Sequence, residues 1–155
     1  MPDIFLPTAP PKIRADRRGS GAVRPRLLLI DDELSVARFI AHAAEECGYE
    51  AVVTVSPESF RSQYKAAAPD AVVLDLALPR GDGVELLRFL AEENCPVAVL
   101  LISGFDERVL DAAMRLGAAI GLKMVGPLTK PVRLQELMDA IGHPQESAHA
   151  SCLDR

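Results

Sequence analysis

From Arg26 to about Gly142 the chain alternates short apolar runs with stretches whose apolar residues recur every three or four positions. The first run, Leu27-Leu28-Leu29-Ile30, is apolar at every position, which predicts a strand buried on both faces. Behind it Val36, Ile40, Ala43 and Cys47 share one helix face, with Ser35 as the expected cap and Gly48 as the exit. Ala51–Val55 predicts a second strand. Ser56-Pro57 then opens a helix with Phe60, Tyr64 and Ala67 inward, ending before Pro69. Ala71–Leu74 predicts the third strand, and Asp82-Gly83 opens a helix with Leu87, Leu90 and Ala91 inward. Val97–Ile102 predicts the fourth strand, followed by a helix facing the core through Val109, Ala113 and Leu116. Leu122–Leu128 predicts a fifth strand, placed at an edge because Gly126 and Pro127 weaken its ladder. Pro131 starts a last helix carrying Leu134, Leu137, Met138 and Ile141. Five strand-then-helix repeats predict an α/β fold, an open doubly wound parallel sheet with helices on both faces.

The flanks differ in texture. Residues 1–25 hold five of the 12 prolines and Gly19-Ser20-Gly21, with no periodic apolar face, so they are expected to form a flexible basic and Pro-rich arm. Residues 143–155 are expected to be a disordered C-terminal tail, leaving 26–142 as the folded domain. At 155 residues the chain is expected to hold one ordinary domain, with no output domain expected after Gly142. Residues 1–26 carry six Lys/Arg (Lys12, Arg14, Arg17, Arg18, Arg24, Arg26) against Asp3 and Asp16; the remainder carries 11 basic and 20 acidic residues. A body so acidic is not expected to grip nucleic acid through its phosphates. No apolar run reaches membrane-spanning length, and Met1–Pro7 lacks the basic and apolar regions of a secretory signal. Three cysteines without C-x-x-C spacing (Cys47, Cys95, Cys152) predict reduced thiols and a cytoplasmic protein.

In open parallel sheets the reactive crevice lies beyond the carboxyl ends of the strands. Here those ends carry Asp31-Asp32-Glu33, Asp75, Ser103-Gly104 and Thr129-Lys130-Pro131. Packed carboxylates raise one another's pKa, and a hard divalent cation relieves that repulsion. A lysine can neutralise an incoming anion, and a hydroxyl can bond one of its oxygens. Together these groups suit phosphoryl transfer onto an aspartate. Each residue also has a plainer explanation. Asp75 can cap a loop, Asp31-Asp32 can face a helix N-terminus, Ser103 is ordinary turn chemistry before glycine, and Lys130 can be a solvated lysine. Their convergence from four strands favours the functional reading. His42 is expected at the surface, His143 and His149 in the tail, and Cys47 and Cys95 as buried small hydrophobes; Glu33 supports the acidic loop.

The set Asp31-Asp32, Asp75 within Val72–Pro79, Ser103 and Lys130-Pro131 resembles the CheY-like receiver domain of two-component response regulators, over residues 26–142. The resemblance implies a flavodoxin-like five-stranded sheet of order 2-1-3-4-5. It implies Asp75 as phospho-acceptor. It also implies Mg²⁺ held by Asp32, Asp75 and the backbone carbonyl of Ala77, with Asp31 acting through a water. Lys130 and Ser103 are then the phosphoryl-binding and switch residues, and Lys130-Pro131 a cis bond. The implied partners are a histidine kinase or histidine phosphotransfer protein and an unidentified output protein, the chain itself being a monomer or weak dimer. Pro127 departs from the family, which usually has Tyr or Phe three residues before the lysine, so the aromatic readout is missing there. Ala77 offers no side chain to steer water at the phosphoryl group. The Gly117–Gly126 stretch is long, predicting an extended fourth helix or an added turn. The leading expectation is a stand-alone, single-domain response regulator, a switch that catalyses its own aspartyl phosphorylation. A phosphorylation-independent interaction module is the alternative. A phosphoaspartate hydrolase ranks third, because such enzymes usually carry a second aspartate where this chain has Ala77.

Overall fold

The computed structural model describes residues 24–142. Most of the basic arm (1–23) and the tail (143–155), with His143, His149 and Cys152, lie outside the described residues. The elements run β1 (Arg26–Ile30), α1 (Leu34–Glu46), β2 (Glu50–Thr54), α2 (Pro57–Ala67), β3 (Ala71–Asp75), a 3₁₀ turn (Pro79–Gly81), α3 (Asp82–Glu92), β4 (Ala98–Ser103), α4 (Glu107–Ala119), β5 (Lys123–Thr129) and α5 (Leu134–Ile141). All neighbouring strands pair in parallel, in the order β2-β1-β3-β4-β5.

Strand periodicity divides the core in two. Leu28, Ile30, Val72, Leu74, Val99 and Leu101 point to one face and meet Phe60 of α2, Leu86, Leu87 and Leu90 of α3, and Leu110 and Ala113 of α4. Leu27, Leu29, Val73, Leu100 and Ile102 point to the other and meet Ala37, Ile40, Ala43 and Ala44 of α1 and Leu137 of α5. This is why the strands are apolar at successive positions: both faces are roofed by helices. Ser56 caps α2 by accepting a hydrogen bond from the Ser59 amide at 3.2 Å, with Pro57 in the first turn.

Several local expectations are corrected. The first helix begins at Leu34 behind Glu33, which makes no side-chain cap bond, so Ser35 lies inside the helix rather than capping it. The second strand is Glu50–Thr54, leaving Val55 outside it and half exposed. The third and fourth strands extend through Asp75 and Ser103, which places both functional side chains on the sheet itself. The inward face of α4 is Leu110, Ala113 and Gly117, with Val109 exposed. Gly117 was easily missed as a core position. It has no side chain, and the space a Cβ would need is filled by Met124 of β5. The long link before β5 is taken up by helix, since α4 runs to Ala119. Pro131 does not start the last helix; Arg133 is its N-cap, and Leu134 is substantially exposed.

β5 does lie at an edge, and its pairing with β4 shifts register between Leu100 and Ile102. One extra residue in β5 is absorbed around Gly126-Pro127, where Gly126 takes φ +95° and a Cβ would come within 2.9 Å of Leu100 Cδ1. A glycine at positive φ is the usual way to build such a bulge.

Candidate phosphoacceptor and metal site

The carboxyl ends of β1, β3, β4 and β5 bring the expected groups to one crevice. Asp31 and Ser103 are fully buried and Asp75 is 2% exposed, whereas Asp32 is open to solvent. Carboxylate oxygens of Asp31, Asp32 and Asp75 all lie within 4.8 Å of one another. Asp75 accepts hydrogen bonds from the Ala77 amide at 2.9 Å and from Lys130 Nζ at 3.2 Å. Lys130 also reaches Asp31 Oδ2 at 2.9 Å and Glu33 Oε1 at 3.6 Å. The ammonium therefore sits among three carboxylates and bridges β5 to β1 and β3.

The backbone around these groups is tightly held. The Asp31 amide donates to the Thr54 carbonyl (3.3 Å), and the Thr54 hydroxyl donates to the Leu29 carbonyl (2.8 Å), tying the end of β1 to β2. Asp31 Oδ1 accepts from the Glu33 amide at 2.9 Å, which turns the chain into α1. The Lys130 amide donates to the Ser103 carbonyl and the Leu76 amide to the Ile102 carbonyl, both at 2.9 Å. Gly83, in the first turn of α3, lies so close to the Leu76 carbonyl that a Cβ there would overlap it. Thr54 and Gly83 both shape the site, and sequence reasoning gave neither a site role. A polar residue ending an otherwise apolar strand was the available signal for Thr54.

Burial pushes the Asp75 carboxyl upward, opposed by the Ala77 amide, raised further by Asp31 and lowered by Lys130; the net direction is up. Burial pulls the Lys130 ammonium down, but its 2.9 Å ion-pair contact with Asp31 and the charges of Asp75 and Asp31 outweigh this, so its pKa is raised. Lys130 thus stays charged at neutral pH.

Asp31 Oδ2 is buried with no hydrogen bond of acceptable angle, although Lys130 Nζ stands at ion-pair distance from it. We regard the contact as a misaligned ion pair. An under-coordinated buried oxygen beside two further carboxylates fits a hard, oxygen-seeking cation. The Lys130-Pro131 bond is cis, and so is Gly126-Pro127. Glu33 is exposed and sits at the edge of the lysine's reach, and His42 is exposed on α1 away from these groups in sequence. Pro127 is half-buried in β5 and supplies no aromatic ring. Beside the crevice lies a groove of about 450 Å³ whose apolar wall is Val36, Phe39, Ile40, Ile102, Pro131 and Val132, with Glu33, Ser35 and Lys130 also lining it.

The response regulator receiver domain family matches residues 27–142, three-quarters of the chain and the whole of the sheet apart from Arg26. The chain belongs to this family. Chemotaxis protein CheY of Treponema pallidum is 31% identical over 117 residues, covering 73% of this chain and 81% of that protein. Transcriptional regulatory protein TrcR of Mycobacterium tuberculosis is 30% identical over 125 residues, covering 80% of this chain and 47% of TrcR. The chain thus spans less than half the length of TrcR, as it does of other curated relatives it matches. Among solved structures, a response regulator from Colwellia psychrerythraea superposes with TM-score 0.66 at 28% identity, covering 76% of this chain and 93% of that one. Receiver domains are signalling switches of two-component systems that generally bind Mg²⁺ at an acidic pocket, and Asp31, Asp32 and Asp75 form an acidic cluster whose geometry could hold a metal ion. Among the described residues no helix is long and apolar enough to cross a membrane.

Proposed function

We propose that the protein is a single-domain, cytoplasmic response regulator that accepts a phosphoryl group on Asp75. The observation that carries this reading is the pairing of a buried Asp75 carboxylate with Lys130 Nζ at 3.2 Å, beside two more carboxylates. Asp75 Oδ1 is oriented by the Ala77 amide, and Oδ2 by the lysine. The phosphodonor is a histidine kinase or histidine phosphotransfer protein. The P–N bond of its phosphohistidine breaks, a P–O bond to an Asp75 oxygen forms, and the donor imidazole, protonated on its other ring nitrogen before transfer, keeps the bonding pair and leaves in neutral form. Lys130 stabilises negative charge on the transferred group, and Ser103 supplies a hydroxyl to one of its oxygens.

Asp32, Asp75 and the Ala77 carbonyl would hold Mg²⁺, with Asp31 acting through a water. When bound, the ion would supply charge neutralisation on the phosphoryl oxygens. The apolar groove beside Lys130 is the natural floor for the donor's helix, since it opens next to the reacting carboxylate. The single-domain reading is supported by the CheY relative, which the chain covers over most of its length. Output passes by protein contact through an unidentified partner. The acidic body disfavours nucleic acid, and we expect a monomer or weak dimer. A phosphorylation-independent interaction module is the second reading, favoured by Pro127 in place of the aromatic switch. Incubation with acetyl phosphate and Mg²⁺, followed by acid-quenched intact mass, separates the two. One added phosphoryl group on the wild type and none on Asp75→Ala supports the switch; no adduct on either supports the module.

A further inference from the structure

We propose that Phe105 is the positioning residue through which Ser103 signals, in place of the aromatic ring that β5 lacks. The inference rests on the phosphoacceptor reading of Asp75. Ser103 is fully buried, and its Oγ accepts a hydrogen bond from the Phe105 amide at 3.1 Å. Its carbonyl is fixed to β5 by the Lys130 amide at 2.9 Å. The main chain of Ser103 is therefore anchored, and its hydroxyl can turn about the Cα–Cβ bond only by giving up the Phe105 amide. The hydroxyl's bonding partner on the protein is the residue two places on.

The link between them is a glycine. Gly104 carries no side chain, and a Cβ there would meet nothing within 4 Å, so the bend has open space on that side. Beyond it Asp106 caps α4 through the Arg108 amide, which makes the start of the helix the next rigid body. Phe105, itself 44% exposed, stands between anchor and helix, and Val109 on the first turn is 46% exposed. A Ser103 hydroxyl that turns to a phosphoryl oxygen moves the acceptor away from the Phe105 amide. That frees the Phe105 backbone to re-form the loop and changes the exposure of its ring. At position 127 the half-buried Pro127 has no ring able to swing.

The chain contains no tryptophan, so Phe105→Trp introduces a single reporter. Emission and acid-quenched mass are read on the same sample after acetyl phosphate and Mg²⁺. The expected result is an adduct accompanied by a shift in the emission maximum and altered iodide quenching. The shift should be absent in Phe105→Trp/Asp75→Asn, and lost in Phe105→Trp/Ser103→Ala read at matched adduct occupancy. An adduct with unchanged emission, or a shift that persists without Ser103, overturns the role of Phe105 and leaves Asp75 as acceptor. No adduct overturns both. If the tryptophan variant fails to fold, 4-fluorophenylalanine in the natural sequence gives ¹⁹F lines for five phenylalanines, with Phe105 assigned by Phe105→Leu. A Phe105 line that does not move on phosphorylation is then the overturning result.

Discussion

Lys130→Met tests the electrostatics of the crevice most sharply, because it keeps the aliphatic stem and removes only the charge. The ammonium lies 2.9 Å from Asp31 Oδ2 and 3.2 Å from Asp75 Oδ2, with 20% of the lysine side chain exposed and the two carboxylates 0% and 2% exposed. Removing one partner from a buried ion pair typically costs about 3–5 kcal/mol, since the remaining charge is left uncompensated. The 3.6 Å pair with Glu33, whose side chain is 63% exposed, adds under ~1 kcal/mol. Against a total stability of roughly 5–15 kcal/mol the variant still folds, with Tm lowered by about 12–20 °C without metal. Two further consequences follow from the same contacts. Acidification should rescue the variant more than the wild type, because Asp75, whose pKa is already raised by burial, takes up a proton and removes uncompensated charge. Mg²⁺ should stabilise the variant more than the wild type, because no ammonium competes for the carboxylates. Urea unfolding in EDTA and in Mg²⁺, at pH 5 and pH 7.5, reads all three effects. A loss under ~1 kcal/mol in EDTA, or equal Mg²⁺ increments in both proteins, would refute the reasoning.

Three other outcomes are expected. Asp75→Asn should stabilise the metal-free protein at neutral pH. The folded-state pKa of Asp75 is raised by burial above its ordinary 3.8, so its contribution is fully favourable below that value and is lost as pH rises through the folded pKa. The stability difference between variant and wild type should therefore grow with pH; a difference that is flat or shrinks contradicts the assignment. Gly83→Ala should cost about 1–3 kcal/mol, since its methyl group must displace the Leu76 carbonyl next to Asp75. Urea midpoints check this, and an unchanged midpoint would mean that α3 slides freely. Phe60→Ala, at a fully buried ring between α2 and the sheet, should cost about 3–5 kcal/mol by the same measurement.

Much of this architecture was legible because the sheet is buried on both sides. Leu27–Ile30 and Val72–Leu74 read as strands without ambiguity, and the polar residues that interrupt them mark where the strands leave the core. That same interruption located Asp31, Asp75, Ser103 and Lys130. Helix faces were less legible where small residues carry the contact. On α4 the core position is Gly117, packed on Met124, and hydropathy instead drew attention to the exposed Val109. On α1 the chain turns into the helix through a hydrogen bond from the Glu33 amide to Asp31, a cap supplied from outside the helix that Ser35 only imitated in sequence. The threefold ion pairing of Lys130 and the close approach of Gly83 to Leu76 depend on tertiary distances that no local pattern encodes.

Borohydride trapping after phosphorylation by acetyl phosphate and Mg²⁺ examines the acceptor at single-residue resolution, because it reduces an aspartyl phosphate to homoserine. Peptide mass mapping should find homoserine at position 75 and at no other aspartate, with none formed when Mg²⁺ is chelated. Conversion at Asp31, Asp32 or any other acid, or an unmodified position 75 in a folded sample, would contradict the account.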